Sequence, residues 1–380
     1  MKTNHRQFTR VRSALIALAA LALASVTHAA VKLPDFVNKV QLQNCGGVEV
    51  TEDGRAVRLY RVPKAVRDHL TEKNPNSGKT GADAMMGARH SEIRFVVKDG
   101  EKRENVKLYL QSQSPADVTI YWGDIYSSNQ KASGNGKPLL LSGHGLLYQL
   151  MEKYPRQRFA NNVCRVVVDG ADVTFHGIDG NVRPPTPEEL APVMMSYGTS
   201  ITSGFNAGRA DLQWNSLTAR ALGYDLVNLG SSGTAFCEKE MADYIAAQPW
   251  DLCTLEISVN MVTDYTVEEF RKRASYMIDT LAKSHPKAPI VCISIFPWGV
   301  GEYWTHKAAE NTKAFRAALK EICESSGHKN VHYVHGPDLL SFSGLWHDML
   351  HPSPQGMIEV AQKLAPKIEA ILKSSASSAR

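Results

Sequence analysis

The sequence predicts a mixed α/β fold: an all-β sandwich, jelly-roll-like, followed by a three-layer α/β/α domain built on a parallel sheet. Two observations carry that expectation. Before Asp179 the hydrophobic pattern is one of short strands at turn-punctuated spacing. After it, short apolar runs alternate with stretches of helical period, the pattern of parallel strands joined by crossover helices. Between the two lies Asp179-Gly180-Asn181-Val182-Arg183-Pro184-Pro185-Thr186-Pro187, rich in Gly and Pro and read as a linker. With 380 residues, 43% hydrophobic and 21% charged, the chain is long enough for about two domains. That composition excludes a disordered chain, a collagen-like repeat and a Cys-dense small scaffold.

The first 29 residues read as a secretory signal peptide. Arg6, Arg10 and Arg12 precede an apolar, Ala/Leu-rich run from Ser13 to Val26, and Thr27-His28-Ala29 places a small residue at the cleavage position. The run is shorter than the roughly 20 residues a bilayer-spanning helix needs. No second long apolar run follows, and no Cys stands just after the cleavage position. The chain is therefore expected to be exported, periplasmic or extracellular, with no integral membrane segment after signal removal and no lipid anchor. The net charge of +5 includes Lys2, Arg6, Arg10 and Arg12 of this segment, which leaves +1 for the remainder. With no basic stretch interleaved with aromatics, nucleic acid is not an expected partner.

Residues 30–179 supply the strands. Ser91–Val97, Val106–Leu110, Asp117–Tyr121 and Cys164–Val168 have strand character, and Asp169-Gly170 reads as a hairpin turn into Val173–His176. Leu146–Tyr154 is long enough for one short helix. After the linker, 180–190, the second domain is expected over 191–373. Its strands are predicted at Val193-Met194-Met195, Leu226–Leu229, Leu252–Ile257, Ile290–Phe296 and Val331–Val334. Its helices are predicted at Arg209–Leu222, closed by Gly223, and at Val267–Ser284, Ala308–Ser325 and Pro354–Leu372. Residues 374–380 read as a flexible tail.

The six cysteines are Cys45, Cys164, Cys237, Cys253, Cys292 and Cys323. None forms a CxxC pair, so a zinc site or a thioredoxin-like motif has no support. Export permits disulfides. Cys45 and Cys164 lie near the ends of the first half and are the candidate bridge, whereas Cys253 and Cys292 sit in apolar runs and read as buried thiols.

In parallel α/β sheets, ligands bind at the carboxyl ends of the strands. Four such segments carry chemistry: Gly198-Thr199-Ser200, Gly230-Ser231-Ser232-Gly233, Ser258-Val259-Asn260-Met261 and Asp348-Met349-Leu350-His351. Ser200 follows a strand, but a serine is a weak nucleophile unless a base takes its proton. His351 is the candidate base. Asp348, three residues earlier, could accept from the other imidazole nitrogen and fix the tautomer. Ser353-Pro354 reads as N-cap and first residue of the last helix, a cap that pins the loop before it. The Ser200 N–H, the Gly233 N–H and the Asn260 amide are three candidate donors to an oxyanion.

In this order and context the four segments resemble the blocks of the SGNH/GDSL hydrolase superfamily: Gly-Asp-Ser, Gly, Gly-x-Asn-Asp and Asp-x-x-His. The resemblance spans about 190–373 and implies a flavodoxin-like domain. The β-rich half in front resembles the subgroup with an N-terminal jelly roll, a layout found in several carbohydrate esterases. The family match favours Gly233 as the second-block donor and leaves Gly230 as a turn glycine. Three positions depart from the pattern: Thr199 replaces Asp, Ser258 replaces Gly, and Met261 replaces Asp. None of them is the nucleophile, the base or an oxyanion donor.

Competing constellations are weaker. Gly198 to Gly204 lacks the Gly-Lys-Ser/Thr of a phosphate loop, and Trp298-Gly299-Val300-Gly301 lacks the third glycine of a dinucleotide fingerprint. His332 and His335 point to opposite faces of a strand. His347 and His351 have metal-like spacing without further ligands. No metal and no cofactor is expected. Trp298, Trp304 and Trp346 lie in strand-end loops, either as an aromatic wall for substrate or as loop anchors. Tyr121-Trp122-Gly123-Asp124-Ile125-Tyr126 either faces the second domain or fills the sandwich.

The resulting expectation is an exported serine esterase that removes short acyl groups, O-acetyl on a carbohydrate first, through an acyl-enzyme on Ser200. Two other readings stay open: an acyltransferase passing the same acyl group to a sugar hydroxyl, and a carbohydrate-binding protein with a degenerate hydrolase half. The partner expected in each case is a small acyl ester or an acetylated carbohydrate. The sequence leaves the oligomeric state open.

Overall fold

The computed structural model describes residues 32–132, 134, 136–141, 145, 146, 149, 153–303 and 307–378. The expected signal peptide, 1–29, lies outside the described residues, as do Trp304 and much of the expected helix Leu146–Tyr154.

The first half forms two antiparallel sheets. One contains β1 (Gln41–Gln43), β4 (Ser91–Val97), β6 (Ala116–Trp122), β7 (Ile125–Ala132), β8 (Val163–Asp169) and β10 (Val182–Arg183), in the order β1-β4-β8-β6-β7 with β10 also on β4. The other contains β2 (Gly47–Val50), β3 (Val57–Tyr60), β5 (Lys107–Ser112) and β9 (Val173–Asp179), in the order β2-β3-β9-β5. Their inward residues meet in one core: Ile93, Phe95, Val118, Ile120, Cys164 and Val166 from the first sheet, and Val57, Leu59, Leu108, Leu110 and Phe175 from the second. Period-2 alternation places these side chains on the buried face.

Three expectations for this half change. Asp169-Gly170 is not a hairpin turn, because β8 is already paired on both sides, with β4 and β6, and has no edge left for β9. The chain there crosses from one sheet to the other. Cys45 and Cys164 are both free thiols. Cys164 points into the sandwich core, while the Cys45 thiol donates to the Gln43 carbonyl at 3.3 Å, and its burial pushes its pKa up to about 12. Within 180–190 the chain is tied down: Val182 and Arg183 pair with β4, and Arg183 meets Glu189 at 2.7 Å.

The second half is built on a five-stranded parallel sheet of β11 (Val193–Gly198), β12 (Asp225–Gly230), β13 (Leu252–Glu256), β14 (Ile290–Ile293) and β15 (Val331–Val334), in the order β12-β11-β13-β14-β15. This is the flavodoxin-like order. Alternate residues of each strand feed two cores. Met195, Tyr197, Cys253, Leu255 and Cys292 pack under the helices Lys239–Ala247, Val267–Ser284 and Lys307–Ser325. Met194, Leu226, Leu252, Val291 and Ile293 pack under Trp214–Leu222 and Pro354–Ser378 on the other face.

Helix Val267–Ser284 matches its expected span, with the Thr266 hydroxyl accepting from Glu269 N–H at 3.1 Å. The helix expected from Arg209 begins at Trp214, since Gln213 is extended, and ends at Gly223 with φ 81°. The last helix continues through Ser378, so 374–378 are helical rather than a loose tail. Ser374 and Ser375 hydroxyls donate back to the Ile371 carbonyl. Among the described residues, no helix is long and apolar enough to cross a membrane.

The two halves are joined by buried polar contacts. Arg94 of β4 meets both carboxylate oxygens of Asp225 at 2.7 and 2.6 Å. Arg61, buried, donates to the carbonyls of Gly230 at 2.6 Å and of Gly87 at 3.2 Å. Tyr121 donates to Asp211 at 2.6 Å, facing the second half, whereas the Trp122 ring is buried in the sandwich.

Candidate active site

Ser200, His351 and Asp348 meet at the carboxyl end of the parallel sheet. Ser200 follows the end of β11, in a tight turn where Ser203 N–H reaches the Thr199 carbonyl and Phe205 N–H reaches the Ser200 carbonyl, each at 3.0 Å. The Ser200 Oγ lies 2.6 Å from His351 Nε2. His351 Nδ1 lies 2.8 Å from Asp348 Oδ2. With Nδ1–H donating to the carboxylate, Nε2 is the acceptor for the serine hydroxyl.

The Asp348–His351 loop is held on several sides. Asp348 Oδ1 accepts from the N–H of Leu350 and of His351, both at 3.0 Å. Trp346 N–H donates to the His351 carbonyl at 2.7 Å, and Gly299 N–H donates to the Met349 carbonyl at 2.6 Å. Ser353 caps the last helix, its hydroxyl accepting from Gly356 N–H at 3.1 Å. Partial burial works against ionisation of Asp348, but the bonds from the His351 and Leu350 backbone and from the His351 ring outweigh it and hold its carboxyl below the usual range.

The candidate oxyanion donors lie on two neighbouring loops. Gly233 has φ 79°, a backbone conformation that glycine adopts freely. The Asn260 Oδ1 accepts from Ala235 N–H at 3.1 Å, which ties the two loops together. Among the described residues, the Ser200 N–H, the Gly233 N–H and the Asn260 amide N–H₂ donate to no protein acceptor. Ser258, at the family glycine position, has φ 101°, and its hydroxyl turns back onto the Ile257 carbonyl.

The tryptophans divide. Trp298 is buried and its indole N–H donates to Thr312 Oγ1 at 3.1 Å, so it anchors its loop and offers no wall to a ligand. Trp346 is 37% exposed and belongs to the His351 loop. The His347 ring lies tilted against that of Trp346, with centroids 5.2 Å apart, and no cluster of metal-ligating side chains occurs among the described residues.

Several contributors were not legible in sequence. The Phe205 ring lies 4.5 Å from the His351 ring and is 45% exposed, an apolar shoulder on the site. Asn74, from the β-rich half, donates to the Gly233 carbonyl at 2.7 Å, and its Oδ1 accepts from Asn76 and Ser77 N–H within its own turn. Arg61 holds the Gly230 carbonyl from the same side. Glu256, at the end of β13, is fully buried beneath the Ser200 turn. Burial pushes its pKa up to about 7, against the bonds from Thr199 and Thr202. The only sequence cue was a carboxylate closing an apolar strand.

The comparisons bear on family and fold. Residues 192–369 match the pattern of the GDSL-like lipase/acylhydrolase family. Among solved structures, the chain is similar to the salicylyl-acyltransferase SsfX3 from a tetracycline biosynthetic pathway, at TM-score 0.66 and 16% identity over 88% of this chain and 95% of that one. It is also similar to a family two carbohydrate esterase from Cellvibrio japonicus, at TM-score 0.55 and 14% identity over 89% and 96%. An acetyl xylan esterase (Est2A) from the rumen bacterium Butyrivibrio proteoclasticus aligns at TM-score 0.51 and 13% identity, again over 89% and 96%. At these identities the likeness is one of fold, and it takes in both halves. A search of curated protein sequences gives no match.

Proposed function

Starting from the membership of residues 192–369 in the GDSL-like lipase/acylhydrolase family, a family of ester hydrolases, we propose that this protein is an exported serine esterase that removes short acyl groups from a carbohydrate. The observation that carries the reading is the hydrogen-bonded series Ser200 Oγ, His351, Asp348, at 2.6 and 2.8 Å.

His351 Nε2 takes the Ser200 proton as Oγ attacks the ester carbonyl. Asp348 accepts from Nδ1–H, holding the tautomer and favouring the imidazolium that forms. The carbonyl oxygen gains charge and is met by the Ser200 N–H, the Gly233 N–H and the Asn260 amide, donors without a protein acceptor among the described residues. The imidazolium returns its proton to the departing alcohol oxygen, leaving the acyl group on Ser200. A water then gives its proton to Nε2 and attacks the acyl carbon. Collapse, with the imidazolium returning that proton to Ser200 Oγ, releases the carboxylic acid and restores the serine.

The exposure of Phe205, Trp346 and Met349 beside the site supports hydrolysis over transfer, which needs water kept out. A carbohydrate as the alcohol portion is supported by the carbohydrate esterases and the acetyl xylan esterase among the structural neighbours. Export rests on the sequence of residues 1–29.

The test is hydrolysis of p-nitrophenyl esters from acetyl to octanoyl by wild type and Ser200→Ala side by side, followed by acetate release from acetylated xylan with and without an added sugar acceptor. Turnover that falls with chain length, vanishes in the variant and gives free acetate in both conditions is expected. Acylated acceptor as the main product would make the protein a transferase. Sugar binding without turnover in the wild type would make it a binding protein.

A further inference from the structure

We infer that Glu256 is a positioning residue for the nucleophile turn: delivered from the neighbouring strand, its carboxylate holds Thr199 and Thr202 on either side of Ser200. The inference rests on the reading of Ser200 as nucleophile. It also accounts for a departure in the first block. The family pattern carries a carboxylate at position 199, and this chain has Thr199 there.

The geometry is specific. β11 and β13 pair in parallel with Gly198 opposite Glu256, so the strand end that launches the turn lies beside the carboxylate. One oxygen, Oε2, accepts from Thr199 N–H at 3.0 Å, from Thr199 Oγ1 at 2.7 Å and from Thr202 Oγ1 at 3.0 Å. Thr199 Oγ1 in turn accepts from Ile201 N–H at 3.2 Å. A Cβ at position 198 would stand 2.9 Å from Oε2 and 2.5 Å from the Glu256 carbonyl, so the glycine makes room for this contact. Glu256 is 1% exposed, and its other oxygen, Oε1, is buried with no hydrogen-bond partner among the described residues.

A buried carboxylate with one oxygen left unsatisfied is an expensive way to fill space, since an apolar side chain would pack there without that penalty. What the carboxylate supplies is direction. The residue before Ser200 and the residue two after it are bound to one oxygen atom, which fixes the tilt of the turn between them. The Ser200 Oγ is thereby held at its 2.6 Å approach to His351, a geometry that belongs to a loop and not to a regular element. Reaction rates are sensitive to such placement, with about 100-fold lost for a displacement on the order of 1 Å.

The experiment compares wild type, Glu256→Gln, Glu256→Ala, Thr199→Val and Ser200→Ala in the full chain. It uses p-nitrophenyl acetate turnover and, independently of any ester substrate, the rate at which a small p-nitrophenyl phosphonate labels Ser200. Glu256→Ala is expected to lower kcat by about 10–100-fold with KM within about 2-fold and to slow labelling in proportion, whereas Glu256→Gln, which keeps an oxygen to accept the three bonds, loses less. Thr199→Val, which removes one hydroxyl and keeps the branched shape, loses less. Thr199→Asp added to Glu256→Ala is expected to recover part of the labelling rate by returning a carboxylate to the turn. Folded Glu256→Ala that is labelled as fast as wild type overturns the inference alone. A wild type that the probe does not label overturns the nucleophile reading and this inference with it. Should both Glu256 variants fail to fold, Thr199→Val decides: unchanged labelling there overturns the inference, and a several-fold slowing supports it.

Discussion

Asn260 Oδ1 accepts a hydrogen bond from the backbone N–H of Ala235 at 3.1 Å, which orients the amide so that its N–H₂ group is the end left to donate. The same bond ties the third block to the loop that carries Gly233, so two of the candidate oxyanion donors move as a unit. Asn260→Ala is expected to lower kcat by about 10²–10³-fold with little change in KM, since the donor acts on charge that appears only in the transition state. Asn260→Asp keeps the acceptor for Ala235 and loses the donor, so it should fall as far. Steady-state kinetics on p-nitrophenyl acetate checks both. An Asn260→Asp variant with wild-type kcat would take Asn260 out of the oxyanion site.

His351 and Asp348 should not be equivalent. His351 carries the proton itself, and its loss is expected to reduce kcat by about 10²–10⁴-fold. Asp348 acts through the ring, and its side chain is 31% exposed against 13% for His351. Water can occupy the vacated position and accept from Nδ1–H. Asp348→Ala should therefore retain clearly more activity than His351→Ala at pH 8. Equal losses would mean that the carboxylate is needed for more than orientation.

The joint between the halves makes a stability prediction. Arg94 and Asp225 are both fully buried and meet through two hydrogen bonds, with Arg94 also bonded to Glu92 at 2.6 Å. Asp225→Ala leaves a buried guanidinium with one carboxylate instead of two. A cost of about 3 kcal/mol is expected by denaturant unfolding, toward the lower end of what breaking a buried pair does because Glu92 remains. Adding Arg94→Met to Asp225→Leu should recover part of that loss if burial of unpaired charge is its cause. An Asp225→Ala variant as stable as wild type would show that the pair contributes nothing to folding.

The parallel sheet was legible because its evidence is local. Val267–Ser284 and Val331–Val334 match their expected spans, each signalled by its own period and ends. Ser200, His351 and Asp348 were nominated because each stands after a predicted strand and because their residue types fit one chemistry, and the structure brings them together. The errors concern pairing over distance. Asp169-Gly170 has hairpin composition, yet whether β9 can pair β8 depends on β4 and β6, which flank β8 from far away in sequence. Helix Lys239–Ala247 escaped notice because its nine residues bury only Met241, Ala242 and Ile245. Arg61 and Asn74 reach the second-block loop across 169 and 159 residues, and no local pattern marks a carbonyl as needing a distant donor. Ser258 replaces the glycine of the family pattern, and the chain still has φ 101° there, so the loop shape is set by its surroundings.

Glu238 gives a pH prediction with a definite sign. It is 8% exposed, at the start of helix Lys239–Ala247, and accepts from the Tyr197 hydroxyl at 3.2 Å. Burial pushes its pKa up to about 7 from the ordinary 4.5 of a glutamate. A carboxyl whose pKa is raised by folding binds its proton more tightly in the native state than in the unfolded chain. Its contribution is therefore fully present below about pH 4.5 and is lost as pH rises through about 7. Glu238→Gln removes that dependence while leaving an oxygen to accept from Tyr197. The stability of Glu238→Gln minus that of wild type should rise between pH 5 and pH 8, by an amount on the order of 3 kcal/mol. Taking the difference cancels carboxylates such as Asp348, whose lowered pKa favours the folded state at higher pH. Urea unfolding of both proteins at four pH values across this range measures it. A difference that stays flat, or falls, would mean that Glu238 enters the fold already ionised.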